Sequence, residues 1–418
     1  MRHERHRSEN VPRPSRRTGG GFTLVELLVV IGIILLLMAV STLVLGNVIQ
    51  SARIRATEAT ILKINGMVQQ RQEAFQRAVE KADLSKAVNL FKQNKQDIFP
   101  PEIDAWVVDS ASERTWEVLA RKLYFRLSFP QTFAEVCGFD TRPGLPNSDD
   151  DGNGVTDFYP RPVDFHHYQG TPDPKELGQG ANNDDLAIYA ALIRDRMTDP
   201  AKHRPETQSA ALLYLILTGG EVFGVPAVGE NEFSTSEVRD TDGDGLLEFV
   251  DGWGRPLRFY RWPTRLLRCG EDSFTGDTNG DGSTTPSGPN AVPDPRYANL
   301  LIGTLPSLNI NDASLLRDPD DGLNLIYTQV IKRNTSTTPT SDRQFNARLK
   351  FEEMFHTPET YHTFLIVSAG PDGRLGLYEP VQFSRHSESN VFGHLAQPIS
   401  LGDPSASPLA DNITNRRR

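Results

Sequence analysis

The chain has 418 residues, with 44 lysines and arginines against 54 aspartates and glutamates, and a formal net charge of −10 at pH 7. No basic surface emerges from that balance, which argues against nucleic acid as a partner. A hydrophobic share of 38% and a mean hydropathy of −0.42 describe a mostly soluble chain with one candidate membrane span. The 33 glycines and 29 prolines exceed the roughly 12% that the two residues make up in average proteins, and predict a loop-rich body.

Residues 1–21 are a basic leader, MRHERHRSENVPRPSRRTGGG, with arginines at 2, 5, 7, 13, 16 and 17 against Glu4 and Glu9. Residues 22–45 follow as an apolar run whose one acid is Glu26. At about 1.5 Å per residue a helix of that length covers roughly 36 Å, enough for a hydrocarbon core of about 30 Å. Arginines beside a span hold that end in the cytoplasm. The expected topology is therefore single-pass in the inner membrane, with the N-terminus cytoplasmic and the body periplasmic. A secretory signal peptide is the rival reading. The apolar run is longer than an ordinary signal core, no A-x-A-like site closes it, and the sharp break falls before it, at Gly21–Phe22.

GFTLVELLVVIGIILLL, residues 21–37, resembles the class III signal of type IV prepilins and type II secretion pseudopilins. The basic leader, Gly21, Phe22, Thr23, Leu24, Glu26 and the unbroken apolar helix carry the resemblance. It implies that a prepilin peptidase cuts after Gly21 and that the new N-terminus, Phe22, is methylated. It also implies a role for Glu26. An acid inside a span costs about 2.5–3.5 kcal/mol on insertion scales, whereas cleavage creates an ammonium on Phe22 with an ordinary pKa of about 8. In a filament, Glu26 of one subunit meets the Phe22 amine of a neighbour, and the two charges neutralise each other. The bland alternative is a carboxylate that snorkels or is protonated. Implied partners are the peptidase, other pilin or pseudopilin subunits and the inner-membrane assembly platform.

Beyond the span, residues 46–80 predict an amphipathic extension of the helix. Apolar residues at 54, 61, 64, 68, 75 and 79 form one stripe at helical spacing. Residues 81–235 read as a helical and loop-rich insertion. WEVLARKLYFRLSF and DLAIYAALIRDRM are helical, and SAALLYLILTGGEVFGV is a helix stopped at Gly219–Gly220. Its apolar run at 211–217 is too short for a span and reads as core. Residues 236–385 read as a β-sheet region with acidic loops. LLEFVDGWGRPLRFYRWP predicts two strands about the turn DGWG, and YHTFLIVSAGPDGRLGLYE a buried strand entering a glycine turn. Residues 386–418, rich in Ser, Pro and Asn, read as a disordered tail.

DGWGRPLRFY and FLIVSAGPDGRLG are similar to the C-terminal sheet of the type II secretion major pseudopilin, where a D-x-W-G-x-P strand precedes one ending in S-x-G-x-D-G. Pro256 suits an edge strand, and Trp253 is expected to pack the sheet onto the long helix. About 100 residues separate the two strands here, and the middle region has no counterpart in that small subunit. The fold expected is α+β and pilin-like: a long N-terminal transmembrane and amphipathic helix packed on a small antiparallel sheet, with a large insertion.

Four acidic loops are candidate calcium sites, the weakest of them DPDDG at 318–322. Calcium takes about six to eight hard oxygens, and a loop with acids at alternate positions and glycine at the sixth wraps them around the ion. DTDGDGLLEFVD fits best, with Asp240, Asp242 and Asp244 at positions one, three and five, Gly245 sixth, the Leu246 carbonyl seventh, Glu248 ninth and Asp251 twelfth. DDDGNGVTD offers Asp149, Asp151, Asn153 and Asp157, with Pro160 at twelve. DTNGDGSTT offers Asp277, Asn279 and Asp281. The pseudopilin resemblance implies a further calcium near Ser368 and Asp372, although the acidic tail that completes it is missing here and Glu379 is the nearest acid. Each loop has the alternative of a solvated Asp/Gly turn.

Cys137 and Cys269 are open either to one disulfide outside the cytoplasm or to two buried free thiols. No nucleophile elbow, P-loop, HExxH or dinucleotide fingerprint occurs, and His166–His167 is the one adjacent histidine pair. The reading is a non-enzymatic structural subunit, with a filament-mounted adhesin or substrate-binding module as the alternative.

Overall fold

A computed structural model describes residues 23–82, 84–85, 88–89, 92, 109–135, 137–138, 161–162, 189, 192–193, 195–220, 224–266, 301, 321–323, 325–326, 329, 364–386, 389–399 and 408–416. The chain divides into two units, Met1–Ser51 and Ala52–Arg418.

Helix α1 runs Leu24–Lys81. In the first unit its apolar side chains, from Leu24 to Met38, are exposed. Among the described residues no helix is long and apolar enough to cross a membrane; the side chains at 40 and 42–44, inside the apolar run, lie outside the described residues. In the second unit the expected stripe is the buried face of α1. Ile61, Ile64, Val68 and Phe75 are buried in the main core, and Ile54 and Val79 pack against it.

Helix α2, Glu113–Ser128, is capped by Ser112, whose hydroxyl accepts from the Thr115 N–H. It lays Phe125 and neighbouring Phe129 against Phe75 of α1, with ring centroids 5.3 and 6.0 Å apart. Phe364 stacks on Phe125 at 5.6 Å. Each such pair adds about 0.5–1.5 kcal/mol beyond area burial, so one aromatic knot fastens both helices to the sheet.

Helix α3, Gln208–Thr218, is buried along its whole length and ends at Gly219. A helix apolar all round belongs inside a core. Arg71 of α1, itself buried, reaches its C-terminal end and donates from Nη2 to the carbonyls of Leu217, Gly220 and Pro226 at 3.0, 3.2 and 3.2 Å. A cation there satisfies orphan carbonyls and opposes the helix dipole. The segment read as an insertion thus supplies the centre of the second unit.

The strands are short. β1 (Cys137–Gly138) pairs with β2 (Arg161–Pro162), and β3 (Val238–Arg239) with β4 (Glu248–Phe249), both antiparallel. β5 (Arg258–Tyr260), β6 (Leu365–Ser368) and β9 (Ile413–Thr414) form an antiparallel sheet in the order β5-β6-β9. β7 (Phe383–His386) pairs with β8 (Ser389–Phe392). All four residues of β6 are buried, as befits a central strand covered on both faces. The arrangement is α+β, and Pro256 bridges Val250 just ahead of β5, an edge strand.

The expectation of a disordered tail over 386–418 is corrected for its described residues, 386, 389–399 and 408–416. β9 completes the sheet, and the buried Asn415 fastens it: its Oδ1 accepts from the Ile366 N–H at 3.0 Å, and its Nδ2 donates to Asn65 of α1 at 2.6 Å and to the Phe364 carbonyl at 2.9 Å. The physical reason is that the asparagines bond to backbone and side chains inside the body, so a polar composition here does not mean solvation.

Below the sheet lies a buried ion network. Arg261 donates to both oxygens of Glu135, at 2.8 and 2.7 Å, Arg126 donates to Glu135 at 3.1 Å, and the Gln131 N–H at 2.8 Å. Burial pushes the Glu135 carboxyl up, but the Arg261 charge and hydrogen bonds, with Arg126, outweigh it and hold it down at about 2, from an ordinary 4.5. A depressed acid stabilises the fold fully above its unfolded pKa and loses that contribution as pH falls toward its folded one. Glu135→Gln is therefore expected to flatten the acid branch of the stability curve below about pH 4.5. Glu135→Ala, which leaves Arg261 buried and uncompensated, is expected to cost about 3–5 kcal/mol; chemical denaturation across pH measures both.

Candidate functional site

The start of α1 is a reciprocal cap. The Thr23 N–H and hydroxyl both donate to Glu26 Oε2, at 2.8 and 2.9 Å, and the Glu26 N–H donates to Thr23 Oγ1 at 3.2 Å. This T-x-x-E arrangement satisfies orphan donors of the first turn. It gives Glu26 a role inside its own chain that sequence analysis missed, although the Thr23-to-Glu26 spacing was the signal for it. Gly21 and Phe22, the expected processing residues, lie outside the described residues.

The best of the acidic loops sits between β3 and β4. Carboxylate oxygens of Asp240, Asp242, Asp244 and Glu248 all lie within 4.8 Å of one another. Two like unit charges at that separation repel by roughly 3 kcal/mol at an effective dielectric of about 20. The loop is shaped by its own backbone: Asp240 accepts from the N–H groups of Gly243 and Gly245 at 2.6 and 3.1 Å, and Asp244 from Leu246 at 2.7 Å. Gly245 has φ +98°, and a Cβ there would stand 2.6 Å from the Arg196 carbonyl oxygen, so only glycine fits.

The segment before α3 closes over this loop. The Asp244 carbonyl accepts from the N–H groups of Thr198 and Asp199 at 2.6 and 3.1 Å. Asp242 Oδ2 accepts from the Arg204 N–H at 3.0 Å and the Thr207 hydroxyl at 2.9 Å. His203 Nδ1 lies 2.7 Å from Asp244 Oδ2. Glu248 is fully buried; its Oε2 accepts from the Thr241 N–H at 2.7 Å, and its Oε1 has no hydrogen-bond partner. Burial, reinforced by the charges of Asp242 and Asp244, pushes the Glu248 carboxyl up to about 8. Among the described residues no lysine or arginine ion-pairs with any of the four acids; the nearby Lys202 is held by Asp199 at 2.8 Å.

Asp251, at the twelfth position of the loop template, faces elsewhere. Its Oδ1 accepts from the N–H groups of Trp253 and Arg255 at 2.9 and 3.0 Å, and its Oδ2 from the Ser368 hydroxyl at 2.7 Å. The DGWG and SAGPDG motifs, far apart in sequence, therefore meet at one hydrogen bond. Arg255 adds a second tie, donating to the Gly370 carbonyl at 2.8 Å. The turn touches α1 through Gly252, whose N–H donates to Thr57 Oγ1 at 2.8 Å; Trp253 is half-buried against the core.

Around the position implied for a calcium near Ser368 and Asp372, the side chains have partners within the protein. Ser368 is engaged by Asp251, the exposed Asp372 accepts from the Arg374 N–H at 2.7 Å, and Glu379 is bound bidentately by Arg258 at 2.6 and 2.7 Å. The loops with Asp149, Asp151, Asn153 and Asp157, and with Asp277, Asn279 and Asp281, lie outside the described residues, as do His166, His167 and Cys269.

A helix that opens on a capped Thr23 and Glu26, packed at its other end on a small antiparallel sheet, defines a pilin-like fold. The family model for the prokaryotic N-terminal methylation motif matches residues 16–42, the stretch that carries the resemblance to type IV pilins and pseudopilins. That motif implies processing by a prepilin peptidase, membrane anchoring and assembly with other pilin subunits, and it suggests a structural subunit rather than an enzyme. No curated protein and no solved structure matches the chain.

At Gly252 an added Cβ would meet the Arg53 carbonyl oxygen at 2.5 Å. Gly252→Ala is expected to force the turn off α1 and to destabilise the second unit by about 1–3 kcal/mol, read as a fall in melting temperature.

Proposed function

We propose that the protein is a structural subunit, a minor pseudopilin or pilin, of a type II secretion pseudopilus or a type IV pilus. It is made as a precursor in the inner membrane, with its leader cytoplasmic and its body periplasmic. A prepilin peptidase cuts between Gly21 and Phe22, Phe22 is methylated, and an assembly platform draws the subunit into a filament through α1. The observation that carries this reading is the methylation motif at residues 16–42 at the head of a 58-residue helix. The exposed apolar side chains from Leu24 onward support it, because a large apolar surface marks a site of contact with lipid or other protein.

The Thr23–Glu26 cap sharpens the test. Protein isolated from its native cells is expected to begin at methylated Phe22 by mass spectrometry; an intact Met1 terminus or a cut elsewhere would overturn the reading. Glu26→Gln keeps an oxygen able to accept from Thr23 but removes the charge. Incorporation into sheared filaments, measured by immunoblot, is expected to fall at least tenfold for Glu26→Gln. Unchanged incorporation would reduce Glu26 to a helix cap.

A further inference from the structure

Glu248 is the acid that the twelve-residue template ranks low and the structure ranks high. It sits at the ninth position, fully buried, with Oε1 unpartnered and its carboxylate within 4.8 Å of those of three aspartates. A buried carboxylate oxygen thus faces three other acids without a donor of its own, and among the described residues no basic side chain ion-pairs with it.

Among the described residues His203 is the one nitrogen ligand at the site, and a chain of hydrogen bonds disposes of it. The Phe133 N–H donates to Gln208 Oε1 at 3.0 Å, which turns the Gln208 amide nitrogen toward His203 Nε2 at 3.1 Å. Nε2 must then accept, so Nδ1 carries the proton and donates to Asp244 Oδ2 at 2.7 Å. Both ring nitrogens are engaged. His203 orients a carboxylate, as the outer partners of metal ligands do, and the donors left facing one another are all oxygens.

We infer that Asp240, Asp242, Asp244 and Glu248 form a calcium site, with His203 positioning Asp244 and with Asp251 outside the ligand set. An all-oxygen set selects a hard cation over zinc or copper. Calcium–oxygen bonds of about 2.3–2.6 Å place opposite ligands about 4.6–5.2 Å apart, a span that holds the observed cluster. The left-handed Gly245 supplies the sharp turn at the sixth position. Binding there fixes the loop to which Thr198, Asp199, Arg204 and Thr207 are hydrogen-bonded, so the ion locks the entry to α3 onto β4. The inference stands on the second unit and is independent of filament assembly.

The test uses the full chain in detergent, stripped with EDTA and titrated with calcium chloride, and in parallel with magnesium and zinc chlorides, by calorimetry and thermal melting. Calcium is expected to bind and to raise the melting temperature by a few degrees. Glu248→Gln keeps the shape of the side chain but leaves it unable to supply a negative charge to a cation. It is expected to melt no lower than the parent in EDTA and to lose at least tenfold in calcium affinity. Asp240→Asn, at a partly exposed position, is expected to weaken calcium likewise, and Asp251→Asn to leave affinity within about twofold. Absence of heat and of any melting shift with calcium overturns the site. A preference for zinc that His203→Ala abolishes, or equal losses in Asp251→Asn and Glu248→Gln, overturns the ligand set.

Discussion

The second unit depends on the burial of one stripe of α1. Ile61, Ile64, Val68 and Phe75 have no water contact to speak of, and each other layer finds its place against them. α2 meets Phe75 of the stripe through aromatic edges, α3 and the Gly252 turn bond to α1 through Arg71 and Thr57, and Phe364 stacks on Phe125 of α2. Burying a large apolar side chain contributes about 1.5–3 kcal/mol, so this single face supplies much of the drive for closing the body. The same helix begins with apolar residues left open.

What periodicity encodes was legible in the sequence. The stripe at 54, 61, 64, 68, 75 and 79 is the inner face of the helix, the apolar run at 211–217 is core, and the DGWG turn separates β4 from β5. What single hydrogen bonds encode was not legible. Strands of two residues such as β9 leave no alternating pattern, and Asn415 reads as solvated until the backbone it binds is known. Asp251 shows the same limit: loop spacing assigned it to a metal, whereas packing delivered Ser368 to it from another strand. His203 carries no local signal, because the acid it orients, Asp244, lies 41 residues away.

Glu26 and Glu248 pose one problem in two settings. Each is an acid amid apolar sequence, and each uses one oxygen on a threonine N–H, Thr23 in one case and Thr241 in the other. In the first, the second donor is the threonine hydroxyl and the cap is complete within four residues. In the second, one oxygen remains without a donor. The difference lies in burial: Glu26 is exposed, whereas Glu248, at the start of the strand that closes the acidic loop, is shut away from water.

The order β5-β6-β9 has a consequence for the timing of maturation. β6 cannot acquire both neighbours until residues 413 and 414 have been synthesised, long after β5 is made. Until then its outer edge is an open hydrogen-bonding template of the kind that invites pairing between molecules. The nascent body must therefore be shielded until the closing strand arrives, and the Asn415–Asn65 bond latches sheet to helix only at that final moment.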